Sequence, residues 1–254
     1  MKIVVMGGTG LIGKKLVNRL TAPGHEVTAS SPASGVNALS GEGLDEALKD
    51  AAVVVDVINS PLFKGGSALE FFEAAGRNLL AAAARAGVKH HIVLSVVGTD
   101  RLQGSDYFQA KMAQENLVRQ SGIPYTIVRS TQFFEFIGAI ARSGVQGETI
   151  RMSPAFIQPV ASDDVVAAIA DIVGGNPVNG IVEIAGPEKF RLDELVRKYL
   201  AVMKDEREVT TDVHMSYFGV ELNEDSLIPG ADPRIGTVRY EDWISEPANQ
   251  LLLK

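Results

Sequence analysis

Seven residues constrain this chain more than any other feature. Gly7-Gly8-Thr9-Gly10-Leu11-Ile12-Gly13 follows the extended apolar run Ile3 to Met6 and opens a helical stripe at Leu11, Ile12, Leu16 and Leu20. The spacing of Gly7, Gly10 and Gly13 lets the chain turn tightly, bring its backbone against a pyrophosphate and pack helix on strand. The helix N-terminus then offers its free N–H groups to the anion. A strand, a glycine turn and a helix at the start of a βαβ unit predict a dinucleotide-binding fold. Its cofactor contacts are expected at Gly7, Thr9, Gly10, Leu11, Ile12 and Gly13.

The rest of the first half keeps this alternation. Strands are expected at Glu26 to Ser30, Ala52 to Ile58, Lys89 to Val96 and Tyr125 to Arg129, with a short, glycine-flanked one at Val36 to Leu39. Helices are expected at Leu11 to Leu20, Ser67 to Ala86, Tyr107 to Gln120 and Ser162 to Val173, followed by a strand at Gly180 to Ile184. Beyond Pro187 the pattern loosens, apart from a helix at Leu192 to Met203. Such an order builds an α/β fold, a doubly wound parallel sheet of the Rossmann type with a small C-terminal substrate-binding region. The expected organisation is a single domain, 1–254. Residues 1–130 plus 160–186 form its dinucleotide-binding core, and 131–159 plus 187–254 its substrate-binding region.

Composition narrows the classes further. The chain has 254 residues, 46% of them hydrophobic and 22% charged, which excludes disorder and fibrous repeats and allows a sizeable core. No apolar run approaches the length of a membrane span. Gly7 interrupts the apolar start, so it reads as a strand rather than a signal peptide. The absence of cysteine removes disulfides, thiolate nucleophiles and zinc-cysteine sites, and points to the cytoplasm. A net charge of −7 opposes a nucleic-acid partner. His90 and His91 have no further ligand at metal spacing, so no metal is expected.

The cofactor's ribose is read at the end of the second strand. An Asp or Glu there would bind a free 2′-hydroxyl. This chain instead offers Ser30, Ser31 and Ser34, with Lys14 and Lys15 just after the glycine turn, so NADP is favoured over NAD, which stays open. Asn59-Ser60-Pro61 ends a strand at the sheet edge where a dinucleotide would lie, making Asn59 and Ser60 further candidates.

Ser95 closes the strand Lys89 to Val96, and twelve residues later Tyr107 and Lys111 stand at i and i+4, on one helix face. A tyrosine titrates near 10. Its use as a proton donor or acceptor calls for a nearby cation, and Lys111 is the candidate. Ser95 is expected to hydrogen-bond the substrate carbonyl, and Lys111 also to hold the nicotinamide ribose. Phe133, Phe134, Phe136 and Phe156, with Gln132, are candidate walls of a pocket for a planar aromatic substrate. An ion pair of Glu135 with Arg129 is expected, and Trp243 is expected to anchor the C-terminal tail.

These motifs together resemble the short-chain dehydrogenase/reductase superfamily, in particular its atypical NmrA-like branch. That branch holds NAD(P)H-quinone oxidoreductase-like enzymes and cofactor-sensing regulators. GGTGLIG looks like the atypical loop, and Leu94-Ser95-Val96-Val97-Gly98 with Tyr107 to Lys111 is similar to the superfamily's Ser, Tyr and Lys set. Ile123 to Arg129 followed by Ser130 to Glu135, and Gln158 to Val165, extend the resemblance along nearly the whole chain. Two departures stand out. The Asp that often contacts adenine is replaced around Gly43-Leu44, and the Arg that many relatives place after the second strand is a serine or proline here.

The resemblance implies an NAD(P)H-dependent oxidoreductase that reduces a quinone, conjugated ketone or aromatic polyketide-type carbonyl, with Tyr107 as proton donor, since many NmrA-like regulators lack that tyrosine. Two other classes stay open: a redox sensor that binds NAD(P) without turnover, and a natural-product tailoring enzyme with altered chemistry, oxygenation or cyclisation. The alanine-rich helix Ser67 to Ala86 is a candidate homodimer contact, or else packs on the sheet of its own chain.

Overall fold

The computed structural model describes residues 1–60 and 67–253. In chain order the elements are β1 (Lys2–Met6), α1 (Leu11–Thr21), β2 (Glu26–Ser30), α2 (Leu44–Leu48), β3 (Val53–Asp56), α3 (Ser67–Ala86), β4 (His90–Val96), α4 (Asp106–Gln120), β5 (Tyr125–Ser130), α5 (Ile137–Ser143), β6 (Val145–Gln146), β7 (Thr149–Met152), β8 (Phe156–Ile157), α6 (Ser162–Val173), β9 (Gly180–Ala185), β10 (Phe190–Arg191), α7 (Leu192–Met203), β11 (Glu208–Thr211), β12 (Ser216–Tyr217), β13 (Val220–Glu221), β14 (Arg234–Ile235), α8 (Tyr240–Ser245) and α9 (Pro247–Leu252). A seven-stranded parallel sheet runs in the order β14-β9-β5-β4-β3-β1-β2. This is a Rossmann-type α/β fold. The chain divides into two compact units, Met1–Arg129 with Val165–Val182, and Ser130–Asp164 with Glu183–Lys254. No helix among the described residues is long and apolar enough to cross a membrane.

In the first unit the register aligns strand ends. Met6 of β1 lies opposite Ser30 of β2 and Asp56 of β3, and Asp56 lies opposite Val93 of β4, so Ser95 continues past this carboxyl edge. Residues 3 to 6 of β1 and all of β3 are buried, as expected for strands covered on both faces. Val4, Met6, Val54 and Val93 pack with Leu44, Leu48, Ala75, Leu79 and Ala83 in one core. The buried alanines Ala75, Ala82 and Ala83 of α3 belong to this core, where small side chains let the helix lie close on the sheet, whereas Ala81 and Ala84 are exposed. At Gly76 an added Cβ would come 3.0 Å from Leu117 Cδ1 of α4.

The short strand expected at Val36 to Leu39 does not form. A 3-10 turn at Pro32–Ser34 is followed by bends at Gly35, Gly41 and Gly43, all with φ between +72° and +82°, which break an extended run. The segment is pinned instead by Asn78 of α3, whose Nδ2 donates to Ala38 O at 3.0 Å and Leu39 O at 2.9 Å.

The second unit is held by an aromatic cluster. Phe134 meets Tyr240 at 5.2 Å and Trp243 at 5.5 Å between ring centroids, and Phe190 meets Tyr240 at 6.0 Å. Trp243 is buried and does anchor the tail. The unit also contains a three-stranded sheet ordered β11-β7-β6 and the pairs β8 with β10 and β12 with β13. Near the C-terminus, Leu253 O accepts hydrogen bonds from Tyr199 Oη of α7 at 3.3 Å and Arg142 of α5 at 3.2 Å.

Candidate active site

The glycine turn is built as its spacing requires. Gly7 has φ +78°, and a Cβ there would sit 2.9 Å from Val57 O. Gly13 is tighter still: its Cβ would lie 2.2 Å from Gly7 O. The N–H groups of Gly7 and Gly8 both donate to Ser30 O, at 2.9 and 3.1 Å, tying the turn to the end of β2. Helix α1 starts at Gly10 with no side-chain cap and no acidic residue in its first turn. The N–H groups of Leu11, Ile12 and Gly13 therefore have no intrahelical acceptor, and the partial positive charge of the helix end is unopposed. Thr9 and Gly10 are exposed at this end, and Ile12 turns its side chain into the core. A backbone cradle that no Cβ permits to close, facing an uncapped helix end, fits the pyrophosphate of a dinucleotide.

The three serines differ in their surroundings. Ser30 is wholly buried, with no hydrogen-bond partner for its hydroxyl. Ser31 is also buried, and Ser34 is exposed. The Ser34 hydroxyl folds back on the Ser31 backbone, accepting from its N–H at 3.0 Å and donating to its carbonyl at 2.9 Å. Asn59 is exposed and its Oδ1 accepts from Ser60 N at 3.0 Å, while Ser60 is buried. Pro61, the last residue of that motif, lies outside the described residues.

Ser95, Tyr107 and Lys111 all belong to the first unit, on β4 and α4. Tyr107 is half-buried against Ala68, Phe72 and Ala110. Burial pushes its phenol up to about 12. The Lys111 ammonium is itself engaged by other groups. Lys111 Nζ donates to Leu94 O at 2.9 Å and to Gln114 Oε1, and stands 4.6 Å from the centre of the Phe72 ring. Gln114 Nε2 in turn donates to Asp56 Oδ2 at 3.0 Å. Burial lowers Lys111 to about 8 against the opposing pull of Asp56 and Glu115, while burial raises the Asp56 carboxyl. Asp56 and Gln114 were not singled out from the sequence. The signal for Asp56 was an acid ending an otherwise all-valine buried strand.

Ser95 is likewise engaged. Its hydroxyl donates to Glu115 Oε1 at 2.6 Å. Arg129 grips the same carboxylate through Nε at 2.9 Å and through its terminal nitrogen at 2.8 Å, and Arg119 adds a bond of 2.7 Å. Burial pushes the Glu115 carboxyl up, but the hydrogen bonds from Arg129 and Ser95 outweigh it and hold the group below its ordinary range. Arg129 also meets Asp100 at 3.1 Å. The ion pair expected between Arg129 and Glu135 is thus replaced by Glu115 and Asp100, while Glu135 accepts from the Ser162 hydroxyl. Glu115 was legible in principle, since it continues the Tyr107 and Lys111 stripe by one more turn.

The candidate pocket residues lie in the second unit. Phe134 is 1% exposed inside the aromatic cluster, so it is core and not a pocket wall. Phe133 stacks on Phe136 at 5.6 Å, and Phe136 is 45% exposed. Phe156 carries two cations on its ring, Lys189 at 4.3 Å and Arg191 at 3.8 Å. Gln132 is buried, and neither its amide oxygen nor its amide nitrogen has a partner.

Residues 7–175 match the NAD(P)H-binding family. Two curated relatives are reductases by name. The chain is 28% identical over 210 residues to a (4-alkanoyl-5-oxo-2,5-dihydrofuran-3-yl)methyl phosphate reductase of Streptomyces griseus, covering 76% of this chain and 70% of that protein. It is 26% identical over 230 residues to a chloroplastic divinyl chlorophyllide a 8-vinyl-reductase of Oryza sativa subsp. indica, covering 74% of this chain; the chain spans about half of that relative's length, 55%. Among solved structures, the dTDP-4-dehydrorhamnose reductase of Bacillus anthracis in complex with NADP superposes with a TM-score of 0.66 at 16% identity, over 94% of this chain and 90% of that one. This likeness concerns the fold.

Proposed function

The chain belongs to the NAD(P)H-binding family, among the atypical short-chain dehydrogenases/reductases, a group of NAD(P)-dependent oxidoreductases; on that premise we propose that it reduces a conjugated carbonyl compound, a quinone, enone or aromatic polyketide-type ketone. The observation that carries the reading is the glycine cradle at the open end of α1, in the same unit as Ser95, Tyr107 and Lys111. The relatives' names, a vinyl-reductase and an oxo-dihydrofuran phosphate reductase, support placing unsaturated acceptors first. NADP(H) is preferred over NAD(H) in this proposal because no acid ends β2.

When bound, NAD(P)H supplies a hydride, two electrons and one hydrogen nucleus, to the acceptor carbon. Tyr107 supplies the matching proton. With its phenol pushed up to about 12 it is neutral at physiological pH, an acid rather than a base. The alkoxide that hydride leaves on a ketone carbonyl is far more basic than a phenolate and takes that proton downhill, whereas the oxyanion left on a quinone is itself a phenolate, near an ordinary phenol at about 10, and takes it slightly uphill. Lys111 holds α4 to β4 through Leu94 O and so fixes where Tyr107 stands. Ser95 meets a substrate oxygen by turning its O–H away from Glu115, a rotation that leaves Arg129 and Arg119 on the carboxylate.

The test is loss of near-ultraviolet nicotinamide absorbance with NADPH and then NADH, offered quinones, aromatic ketones and enones. Acceptor-dependent loss that falls about 10²–10⁴-fold in Tyr107→Phe supports the proposal. Full turnover in Tyr107→Phe removes the acid role, and cofactor binding without consumption points to a sensor instead.

A further inference from the structure

Directly after β5, the chain places two buried polar side chains whose polar atoms have no partner in the protein. Gln132 is 8% exposed, and both Nε2 and Oε1 are shut off from water without a hydrogen-bond partner. Its neighbour Thr131, 1% exposed, has an unpartnered Oγ1. The backbone beneath them is firmly held. Thr131 N donates to Ile184 O at 2.9 Å, Gln132 O accepts from Val160 N at 2.9 Å, and Phe134 N donates to Val160 O at 2.9 Å. Nothing in the local chain path therefore explains the orphaned groups as a loosely placed loop. Each buried unsatisfied group costs roughly 1–3 kcal/mol, so three such atoms on adjacent residues mark a place where something else completes the bonds. Beside them in sequence stands the Phe133 and Phe136 stack, whose exposed member, Phe136, offers a flat apolar face.

From these observations we infer that Gln132 and Thr131 form a recognition edge for a flat conjugated carbonyl that carries an N–H or O–H donor next to its carbonyl. A primary amide presents one donor and one acceptor side by side, so its complement must present one acceptor and one donor in the same order. A carbonyl flanked by a donor, as in an imide, a lactam or a hydroxy-enone, satisfies both atoms of Gln132. A plain quinone or simple ketone offers only acceptors and leaves Oε1 unpaired. Thr131 adds a hydroxyl that serves in either sense. For a ligand to reach that edge, the side chains that cover Gln132 and Thr131 move aside.

This inference rests on the reductase reading for the ligand's identity as the hydride acceptor, but not for its binding. The probe pairs are phthalimide against N-methylphthalimide for equilibrium binding, and maleimide against N-methylmaleimide for turnover with NADPH. The second pair is usable because the chain has no cysteine to be alkylated. Calorimetric titration of the wild type is expected to show phthalimide binding about tenfold or more tighter than its N-methyl partner, the discrimination of one buried hydrogen bond left unmade. Gln132→Met, checked for native circular dichroism, is expected to bring the two within about twofold of each other. Equal affinities in the wild type, or no binding by either imide, overturn the inference even where the variant does not fold. Selective binding without NADPH consumption leaves the recognition edge standing and removes the ligand's identity as the hydride acceptor; the reductase reading is then decided by the quinones, ketones and enones.

Discussion

His91 should make this protein lose stability on mild acidification. It sits in β4 opposite Val54, 1% exposed, with an unpartnered Nδ1. Burial, with a smaller contribution from His90, lowers it from 6.5 to about 4. Between those two values the unfolded chain binds a proton that the folded chain does not, so stability falls as pH falls through that window. The linkage expression for one such group gives a loss of about 0.1 kcal/mol at about pH 7.5, about 1.4 at about pH 5.5 and about 3 near pH 4. The perturbation is His91→Leu, which keeps the site filled and cannot titrate. Urea unfolding of both proteins at several pH values gives the difference. Asp56, whose raised carboxyl acts in the opposite sense, is common to both chains and cancels. The wild type is expected to lose roughly 1–1.5 kcal/mol more than the variant between about pH 7.5 and 5.5. Parallel pH profiles for the two proteins would falsify the assignment of His91 as a buried neutral imidazole.

Gly13→Ala drives a Cβ to 2.2 Å from Gly7 O, whereas Gly10→Ala meets the same oxygen at 3.3 Å. NADPH titration should show Gly13→Ala weakened by more than about tenfold and Gly10→Ala affected less; the reverse order would refute the cradle. Glu115→Ala leaves the buried Arg129 with Asp100 as its one ion-pair partner among the described residues and is expected to destabilise by roughly 3 kcal/mol in denaturant unfolding. Glu115→Gln keeps a hydrogen-bond acceptor for Ser95 and Arg129 and should be milder; equal losses would mean that charge, not hydrogen bonding, sets the cost. Asn78→Leu removes the two bonds that pin Ala38 and Leu39 and should raise amide exchange across 36–42 while leaving β1 protected.

Local pattern was enough wherever one residue's role depends on its sequence neighbours. The helix at Ser162–Val173 and that at Leu192–Met203 stand where the apolar spacing put them. The short strand that the apolar residues of Val36 to Leu39 predict does not form, because three positive-φ glycines around it and a bond from a helix forty residues away decide its path. Two-residue strands such as β10 and β14 carry no periodicity of their own, since pairing alone defines them.

The sequence by itself determined the glycine cradle, the βαβ order and the shared face of Tyr107 and Lys111, because turn sterics and the helical and strand repeats act over a few residues. Tertiary structure alone decided what those side chains face. Lys111 turns to Leu94 O and Gln114, Ser95 to Glu115, and Arg129 to Glu115 and Asp100. Burial keeps Tyr107 a weak acid. A buried charge must find its counter-charge or acceptor within a few ångströms, and which group arrives there is set by how strands and helices far apart in the chain come together.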